Sequence, residues 1–133
     1  MKCQIATQLA VFLANKPGTL ADVCETLAGA DINIFALTVS DTVDHSVVRL
    51  VCSDPRKALE IFEDRGALVV DQPVLTVEDV NRPGSLARIA RRMAARNVNI
   101  EYAYCASGPS AKTGLLVLRP SDIQKGLRAL RSR

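Results

Sequence analysis

An internal repeat constrains the fold of this 133-residue chain more than any other sequence feature. The segment N-K-P-G-T-L-A at residues 15–21 returns as N-R-P-G-S-L-A at residues 81–87, which is 66 positions later. At the same offset, D-I-N-I at residues 31–34 matches N-V-N-I at residues 97–100. A constant offset over this distance indicates two copies of one structural unit. Any fold proposed for the chain must therefore build the same unit twice.

A third match extends the repeat, because V-R-L-V at residues 48–51 falls on G-L-L-V at residues 114–117 when the same offset is used. We predict one module in residues 1–72 and a second in residues 73–133. A module of this size buries too little surface to be robust alone. We therefore expect the two halves to pack together and the chain to form a homodimer.

Each half contains the hydrophobic patterns of a strand, a helix, two strands and a second helix. After each Pro-Gly pair, apolar residues recur at the i, i+3, i+4, i+7 spacing of an amphipathic helix. These residues are Leu20, Val23, Cys24 and Leu27 in the first half, and Leu86, Ile89, Ala90 and Met93 in the second. We expect Thr19 and Ser121 to cap helix N-termini, and Asp31 and Asn97 to adopt the left-handed conformation that ends a helix.

The order of elements predicts an α+β fold with two tandem ferredoxin-like βαββαβ modules. In each module, an antiparallel sheet of four strands carries both helices on one face. The second module departs from this pattern, because no fourth strand follows the helix that begins near Ser121. The open sheet edge could be filled by a long first strand from Met1 to Leu13, or by a strand of a second chain.

The repeated loop N-[KR]-P-G-[TS]-L-A, followed one helix later by Asn33-Ile34 or Asn99-Ile100 and then by a hairpin, resembles the ACT domain. ACT domains are regulatory modules attached to many enzymes of amino-acid metabolism. The resemblance covers nearly the whole chain twice, and the chain is similar to free-standing bacterial proteins made of two ACT domains. It implies a non-catalytic sensor, without a cofactor, that binds an amino acid or related metabolite at the interface between modules and acts on a protein target.

In the ACT family, the ligand contacts the loop before the first helix and strand residues of the partner module. The resemblance implies two sets of ligand-binding residues: Asn15, Pro17, Gly18, Thr19, Leu20 and Asn33, and then Asn81, Pro83, Gly84, Ser85, Leu86 and Asn99. Physical chemistry supports the loop, since a helix N-terminus offers unpaired N–H groups to an α-carboxylate. The alternative is that the loop asparagines bond local backbone and that the other two asparagines close the turns after the helices.

The charge distribution leaves a second function open. Residues 1–81 contain 6 Lys/Arg and 12 Asp/Glu, whereas residues 82–133 contain 11 Lys/Arg and 2 Asp/Glu. The basic residues of the second half include Arg88, Arg91, Arg92, Arg96, Arg128, Arg131 and Arg133. They are compatible with a nucleic-acid or protein-interaction surface, or with a solvated helix face that balances the acidic half. Aromatic residues make up only 4% of the chain, which disfavours RNA recognition by base stacking.

Other features argue against an enzyme, a metal site and a membrane protein. The four cysteines, Cys3, Cys24, Cys52 and Cys105, form no C-x-x-C pair, and we expect each to be a small buried hydrophobic residue. The single histidine, His45, has no nucleophile in a motif beside it. The sequence has neither a membrane-spanning apolar run nor a signal peptide, so we expect a cytoplasmic protein.

Overall fold

A computed structural model describes residues 1–41 and 45–131 of the chain. Within these residues the elements are β1 (Lys2–Ala14), α1 (Thr19–Gly29), β2 (Ile34–Asp41), β3 (His45–Cys52), α2 (Pro55–Asp64), β4 (Leu68–Val80), α3 (Ser85–Ala95), β5 (Ile100–Ala106), β6 (Thr113–Pro120) and α4 (Ile123–Arg131). Arg133, which we included in the basic half, lies outside the described residues. No helix in the described part of the chain is both long enough and apolar enough to cross a bilayer.

The chain divides into two compact units. The N unit is Thr7–Gln72, and the C unit is Met1–Ala6 together with the chain from Pro73 onward. Strands β1 and β4 therefore each contribute residues to both units. These units differ from the predicted modules in one respect, since the first six residues belong with the second half of the chain rather than with the first.

The N unit is a four-stranded antiparallel plait with the strand order β2-β3-β1-β4. Its core lies between the sheet and two helices. The buried members of the core are Leu9, Val11, Val48, Leu50 and Cys52 from the strands, Val23 and Leu27 from α1, Ile32, and Ala58 and Phe62 from α2. The predicted ferredoxin-like arrangement, with both helices against the sheet, is confirmed for this half.

The C unit repeats the plait with the order β1-β4-β6-β5, and its core joins α3 and α4 to the strands. The first residues of β1 lie beside β4, where Thr76 Oγ1 donates a hydrogen bond to the Gln4 carbonyl at 3.5 Å. Arg131 of α4 donates to the Cys3 carbonyl at 3.1 Å. The N-terminal segment thus supplies the strand that the second module lacks after its last helix, which is one of the two predicted solutions.

The two halves repeat with a change of offset that the sequence comparison missed. Val11 pairs with Val48 in the N unit, and Val77 pairs with Leu116 in the C unit. The first strands are therefore related by 66 positions and the third strands by 68, so the match of residues 48–51 with residues 114–117 is wrong by two. The longer β5–β6 hairpin accounts for the difference. A shift of two keeps every side chain on the same sheet face, so the hydrophobic pattern fits either offset.

The predicted helix ends are confirmed, but two predicted starts are wrong. Asp31 and Asn97 have φ values of 58° and 56°, as expected for left-handed residues after a helix. Thr19 is not the cap of α1, because Gly18 holds the cap position with φ 92°. The side chain of Asp122, rather than that of Ser121, accepts the Lys125 N–H at 3.0 Å.

Candidate functional site

The repeated loop of the second half borders a cavity of about 280 Å³ in the C unit. The cavity opens between the end of β4, the loop that leads into α3, and the β5–β6 hairpin. Predicted ligand residues on its walls are Asn81, Pro83, Gly84, Ser85 and Leu86; the other lining residues are Val77, Asp79, Arg82, Ala87, Ile89, Cys105, Ser107, Gly114, Leu115 and Leu116. Pockets for small molecules usually measure about 300–1,000 Å³. This cavity therefore lies near the lower end of that range, and an amino acid would fit in it.

The first turn of α3, which lines the cavity, contains unpaired amides. Gly84 occupies the cap position with φ 93°, and no side chain caps the helix. The first amide bonded back to the cap is that of Arg88, which donates to the Gly84 carbonyl at 3.0 Å, while the Ser85 amide donates to Arg82 at 3.3 Å. The Leu86 and Ala87 amides have no acceptor within the described chain. Together with the helix dipole they favour an anion at this position.

Ser85 and Thr19 hold their loops in the same way in both units. Ser85 Oγ donates to the Val80 carbonyl at 2.7 Å, and Thr19 Oγ1 donates to the Ala14 carbonyl at 3.0 Å. Both acceptors lie five residues earlier, at the end of the preceding strand. The hydroxyl protons are therefore used to fasten the loop, and a ligand would meet only the oxygen lone pairs.

The side chain of Asn81 fastens the β5–β6 hairpin to the loop. Its Nδ2 donates to the carbonyls of Gly108 at 3.0 Å and Ala111 at 2.9 Å. Its backbone N–H donates to the Lys112 carbonyl at 2.9 Å. The amide nitrogen therefore bonds backbone that is distant in sequence, rather than the local backbone of the alternative interpretation. Only Oδ1 is left to accept a hydrogen bond from a ligand.

Asp79 lines the cavity, and the sequence analysis did not predict it as a site residue. Its side chain is only 8% exposed, and it is paired with Arg88 through Oδ2. Burial raises the pKa of Asp79, but hydrogen bonds from Arg88 and the Val80 amide, with the charge of Arg88, hold it below its usual value. One sequence signal was available, since Asp79 falls on the same strand face as the core residues Leu75 and Val77.

The N unit does not gather the first predicted set of residues in the same way. Thr19 lines a cavity of about 160 Å³, whose other walls include Val11, Phe62 and Arg65. Asn15, Pro17, Gly18 and Leu20 lie outside that cavity. At the positions of the Asp79–Gly114 cross-strand pair of the C unit, the N unit has Leu13 paired with Ser46. The two units are therefore packed differently at this end of the sheet, since an added Cβ at Gly114 would clash with Ser107 Oγ in the C unit.

Asn33 and Asn99 use their backbones to extend the pairing of β2 with β3 and of β5 with β6. The Asn33 amide donates to Ser53 Oγ at 2.9 Å, and the Asn33 carbonyl accepts the Ser53 amide at 2.9 Å. Asn99 makes the same pair of bonds with Ser121, at 3.0 Å and 2.8 Å. Asn99 is not among the residues that line the C-unit cavity. The amides of Ile32 and Val98, rather than the two asparagines, donate the bonds that close the turns after the helices.

Several arginines of the basic half bond acceptors within the C unit. Arg88 binds Asp79, Arg92 donates to the Leu130 carbonyl at 3.1 Å, and Arg131 donates to the Cys3 carbonyl. Arg88 is exposed and pairs with an acidic residue of positions 1–81, in agreement with a solvated face that balances the acidic half, whereas Arg92 is half-buried and bonds a backbone carbonyl. Guanidinium groups that are fixed in this way are less available to phosphates.

The cysteines differ in their surroundings. Cys52 is buried and Cys3 and Cys24 are half-buried, but Cys105 is exposed on the cavity wall, so its predicted burial is wrong. Burial raises the pKa values of the Cys3 and Cys52 thiols, which keeps both protonated at neutral pH. Across residues 1–41 and 45–131, no three His, Cys, Asp or Glu side chains are grouped to hold a metal ion.

Comparisons with known proteins agree with this architecture. Residues 4–130 match the model of the ACT domain pair. Protein BT0572 from Bacteroides thetaiotaomicron is similar at 34% identity and a TM-score of 0.90, over 97% of this chain and 88% of that one. The regulatory subunit of aspartate kinase from Thermus thermophilus shares the fold at 18% identity and a TM-score of 0.72, over 98% of this chain and 95% of that one. No curated protein matches the sequence.

The family assignment rests on the match over residues 4–130 and on the similarity to BT0572. ACT domains are regulatory, non-catalytic modules that bind amino acids. The repeated Pro-Gly loops and the two plaits are the structural counterpart of that match. This chain belongs to the ACT domain pair family.

Proposed function

We propose that this chain is a regulatory sensor that binds a free amino acid in the C-unit cavity and thereby changes its contacts with a protein target. The observation that carries the proposal is the opening of the α3 N-terminus, with its unpaired Leu86 and Ala87 amides, onto a cavity of about 280 Å³. An α-carboxylate would accept hydrogen bonds from these amides and would lie at the positive end of the helix dipole.

The remaining walls suit the other parts of an amino acid. Asn81 also lines the cavity, and its Oδ1 can accept a hydrogen bond, as an ammonium group requires. Val77, Ile89 and Leu116 provide an apolar surface for an aliphatic or small uncharged side chain. Because the cavity is lined mainly by apolar groups with a few convergent polar ones, it has the composition expected of a ligand site.

A second copy of the chain would close the cavity in this proposal. Leu86 is at the cavity wall and is 53% exposed, so an apolar side chain stands in water at the site. Covering that side chain with a partner module would stabilise the assembly by removing apolar surface from water. ACT-domain regulatory proteins bind small effectors and oligomerise, which supports a homodimer whose contacts respond to the ligand.

Nucleic-acid binding is the less favoured alternative. It depended on a free arginine stripe, and Arg88 and Arg92 are bonded within the C unit. Regulatory subunits of aspartate kinase share the fold, and their association with an enzyme supports a protein target for this chain. The identity of that target is left to experiment.

The test is isothermal titration of the chain with each standard amino acid, followed by two matched variants. Ala87→Phe places a large side chain in the cavity wall. Ala21→Phe makes the same change at the equivalent position of α1, where the side chain is also exposed. We expect binding of one amino acid, or of a chemically related few, to be lost in Ala87→Phe and retained in Ala21→Phe. Loss in Ala21→Phe alone would place the site in the N unit and contradict the proposal.

A further inference from the structure

We infer that the C-unit cavity distinguishes an amino acid from the 2-oxo acid of the same carbon skeleton, and that Asp79 makes the distinction. The inference rests on the proposed function, because it requires an amino acid to bind in this cavity. It adds the property that selection depends on the α-ammonium group.

Asp79 places a carboxylate in a cavity wall that is otherwise neutral or positive. It is the only acidic side chain among the residues that line the cavity, and it is 8% exposed. Arg82 and the N-terminus of α3 border the same space and favour negative charge. A ligand with a carboxylate and an ammonium group matches these two sides, with the carboxylate toward α3 and the ammonium toward Asp79.

The carboxylate of Asp79 retains acceptor capacity after its known contacts are counted. Oδ2 accepts from Arg88, and the Val80 amide donates a further hydrogen bond. The Met1 amino nitrogen lies 4.0 Å from Oδ1, which is beyond hydrogen-bonding distance. Because two carboxylate oxygens offer about four acceptor positions, Asp79 can still accept a hydrogen bond from a ligand ammonium, beside its ion pair with the Met1 ammonium.

A 2-oxo acid would meet this wall with a carbonyl oxygen in place of the ammonium group. Two groups that only accept hydrogen bonds would then face each other, and a polar group that is shielded from water without a partner is costly. Asn81 offers no relief, since its Nδ2 hydrogens are used by Gly108 and Ala111. The oxo acid retains the favourable contact of its carboxylate with the N-terminus of α3 but loses the hydrogen bond to Asp79.

Arg88 acts as a positioning residue in this scheme. Its guanidinium fixes one oxygen of Asp79 and offsets the burial that would otherwise favour the neutral acid. The equivalent positions of the N unit are Leu13 and Asp22, which cannot form such a pair. Selection for an ammonium group at this wall is therefore a property of the C unit.

The experiment compares binding constants of the full chain by isothermal titration. The probes are the standard L-amino acids and, for each one that binds, the 2-oxo acid of the same skeleton. We expect the wild-type chain to bind the amino acid about 10- to 100-fold more tightly, as a hydrogen bond between charged groups would provide. Asp79→Asn should abolish that preference.

The matched control is Glu78→Gln, which removes the same charge from the adjacent residue. Glu78 is 51% exposed, interacts with Lys2 at 3.5 Å and does not line the cavity. We expect this variant to keep the wild-type preference. If the wild-type chain binds the oxo acid as tightly as the amino acid, the inference is overturned and the proposed function stands. If no amino acid binds, both are overturned. The wild-type comparison holds even if Asp79→Asn fails to fold.

Discussion

Replacing Arg88 with methionine tests what stabilises the buried carboxylate of Asp79 in the C unit. The substitution removes the guanidinium that binds Asp79 but retains an unbranched aliphatic side chain at this position of α3. Asp79 is then left 92% buried without its main positive partner, since its side chain is only 8% exposed. Removing one partner of a buried pair is costly because the remaining charge is uncompensated.

The size of the effect follows from the exposure of the two partners. Breaking a fully buried ion pair costs about 3–5 kcal/mol, whereas an exposed pair contributes at most about 1 kcal/mol. Arg88 is 47% exposed, so solvent screens the pair considerably. We therefore expect Arg88→Met to lower the free energy of unfolding by about 1–3 kcal/mol at neutral pH.

The pH dependence of this loss gives the prediction a sign. In the wild-type chain the pKa of Asp79 lies below its usual 3.8. Its contribution to stability is therefore present above pH 3.8 and is lost as the pH falls through the lower, folded-state pKa. Without Arg88, burial raises that pKa, so the variant should lose stability as the pH rises through the raised value.

The assay is urea denaturation of the wild-type chain and of the Arg88→Met variant between about pH 3 and pH 7. The difference between their free energies of unfolding is plotted against pH. All other titrating groups are shared and largely cancel in the difference. We expect the difference to be smallest at low pH and to grow toward neutral pH. Asp79→Asn added to Arg88→Met should recover part of the loss, because it removes the buried charge. A difference that is constant with pH would refute the reasoning.

Two further predictions concern the backbone of the C unit. Gly84→Ala should cost about 1–2 kcal/mol, because φ is 93° although an added Cβ meets no atom within 4 Å; Gly29→Ala in α1, where φ is not positive, should instead be neutral or stabilise by up to about 1 kcal/mol. Urea denaturation distinguishes the two, and equal effects would contradict the role given to φ. Deleting residues 1–6 uncovers the edge of β4, so amide exchange at Thr76 and Val77 should accelerate at least about tenfold. Unchanged exchange would show that this strand is not needed for the C unit.

The architecture could be predicted because its signals are local. The helix period of Val23 and Leu27, and of Ile89 and Met93, gave the faces that the structure buries. Asp31 likewise marked a helix end, since short polar residues tolerate left-handed backbone. Such signals require only neighbours along the chain.

The register of the repeat could not be obtained in the same way. Val39 pairs with Val48 in the first hairpin, and Cys105 pairs with Leu116 in the second, so the second hairpin is two residues longer. Strand side chains alternate with a period of two, and a shift of that size leaves the hydrophobic pattern intact. Only the strand pairing itself identifies the equivalent residues.

The site was predicted in part. The Pro-Gly loop was found because its residue types recur, but the sequence did not indicate which copy borders the larger cavity. The copies differ across the sheet, where Gly114 pairs with Asp79 in one half and Ser46 pairs with Leu13 in the other. The Asp79–Arg88 pair joins residues from different elements, and such contacts leave no periodic signal in a single sequence.

The central claim is that the ligand binds at the N-terminus of α3 in the C unit. The most direct measurement is a titration of the ¹⁵N-labelled chain with the amino acid that binds, followed by amide chemical shifts. We predict that the Leu86 and Ala87 amides shift most and saturate together, because their hydrogen bonds to the α-carboxylate form on binding. The equivalent amides of Leu20 and Ala21 should shift little. Larger shifts at Leu20 and Ala21, or shifts confined to residues outside both loops, would contradict the account.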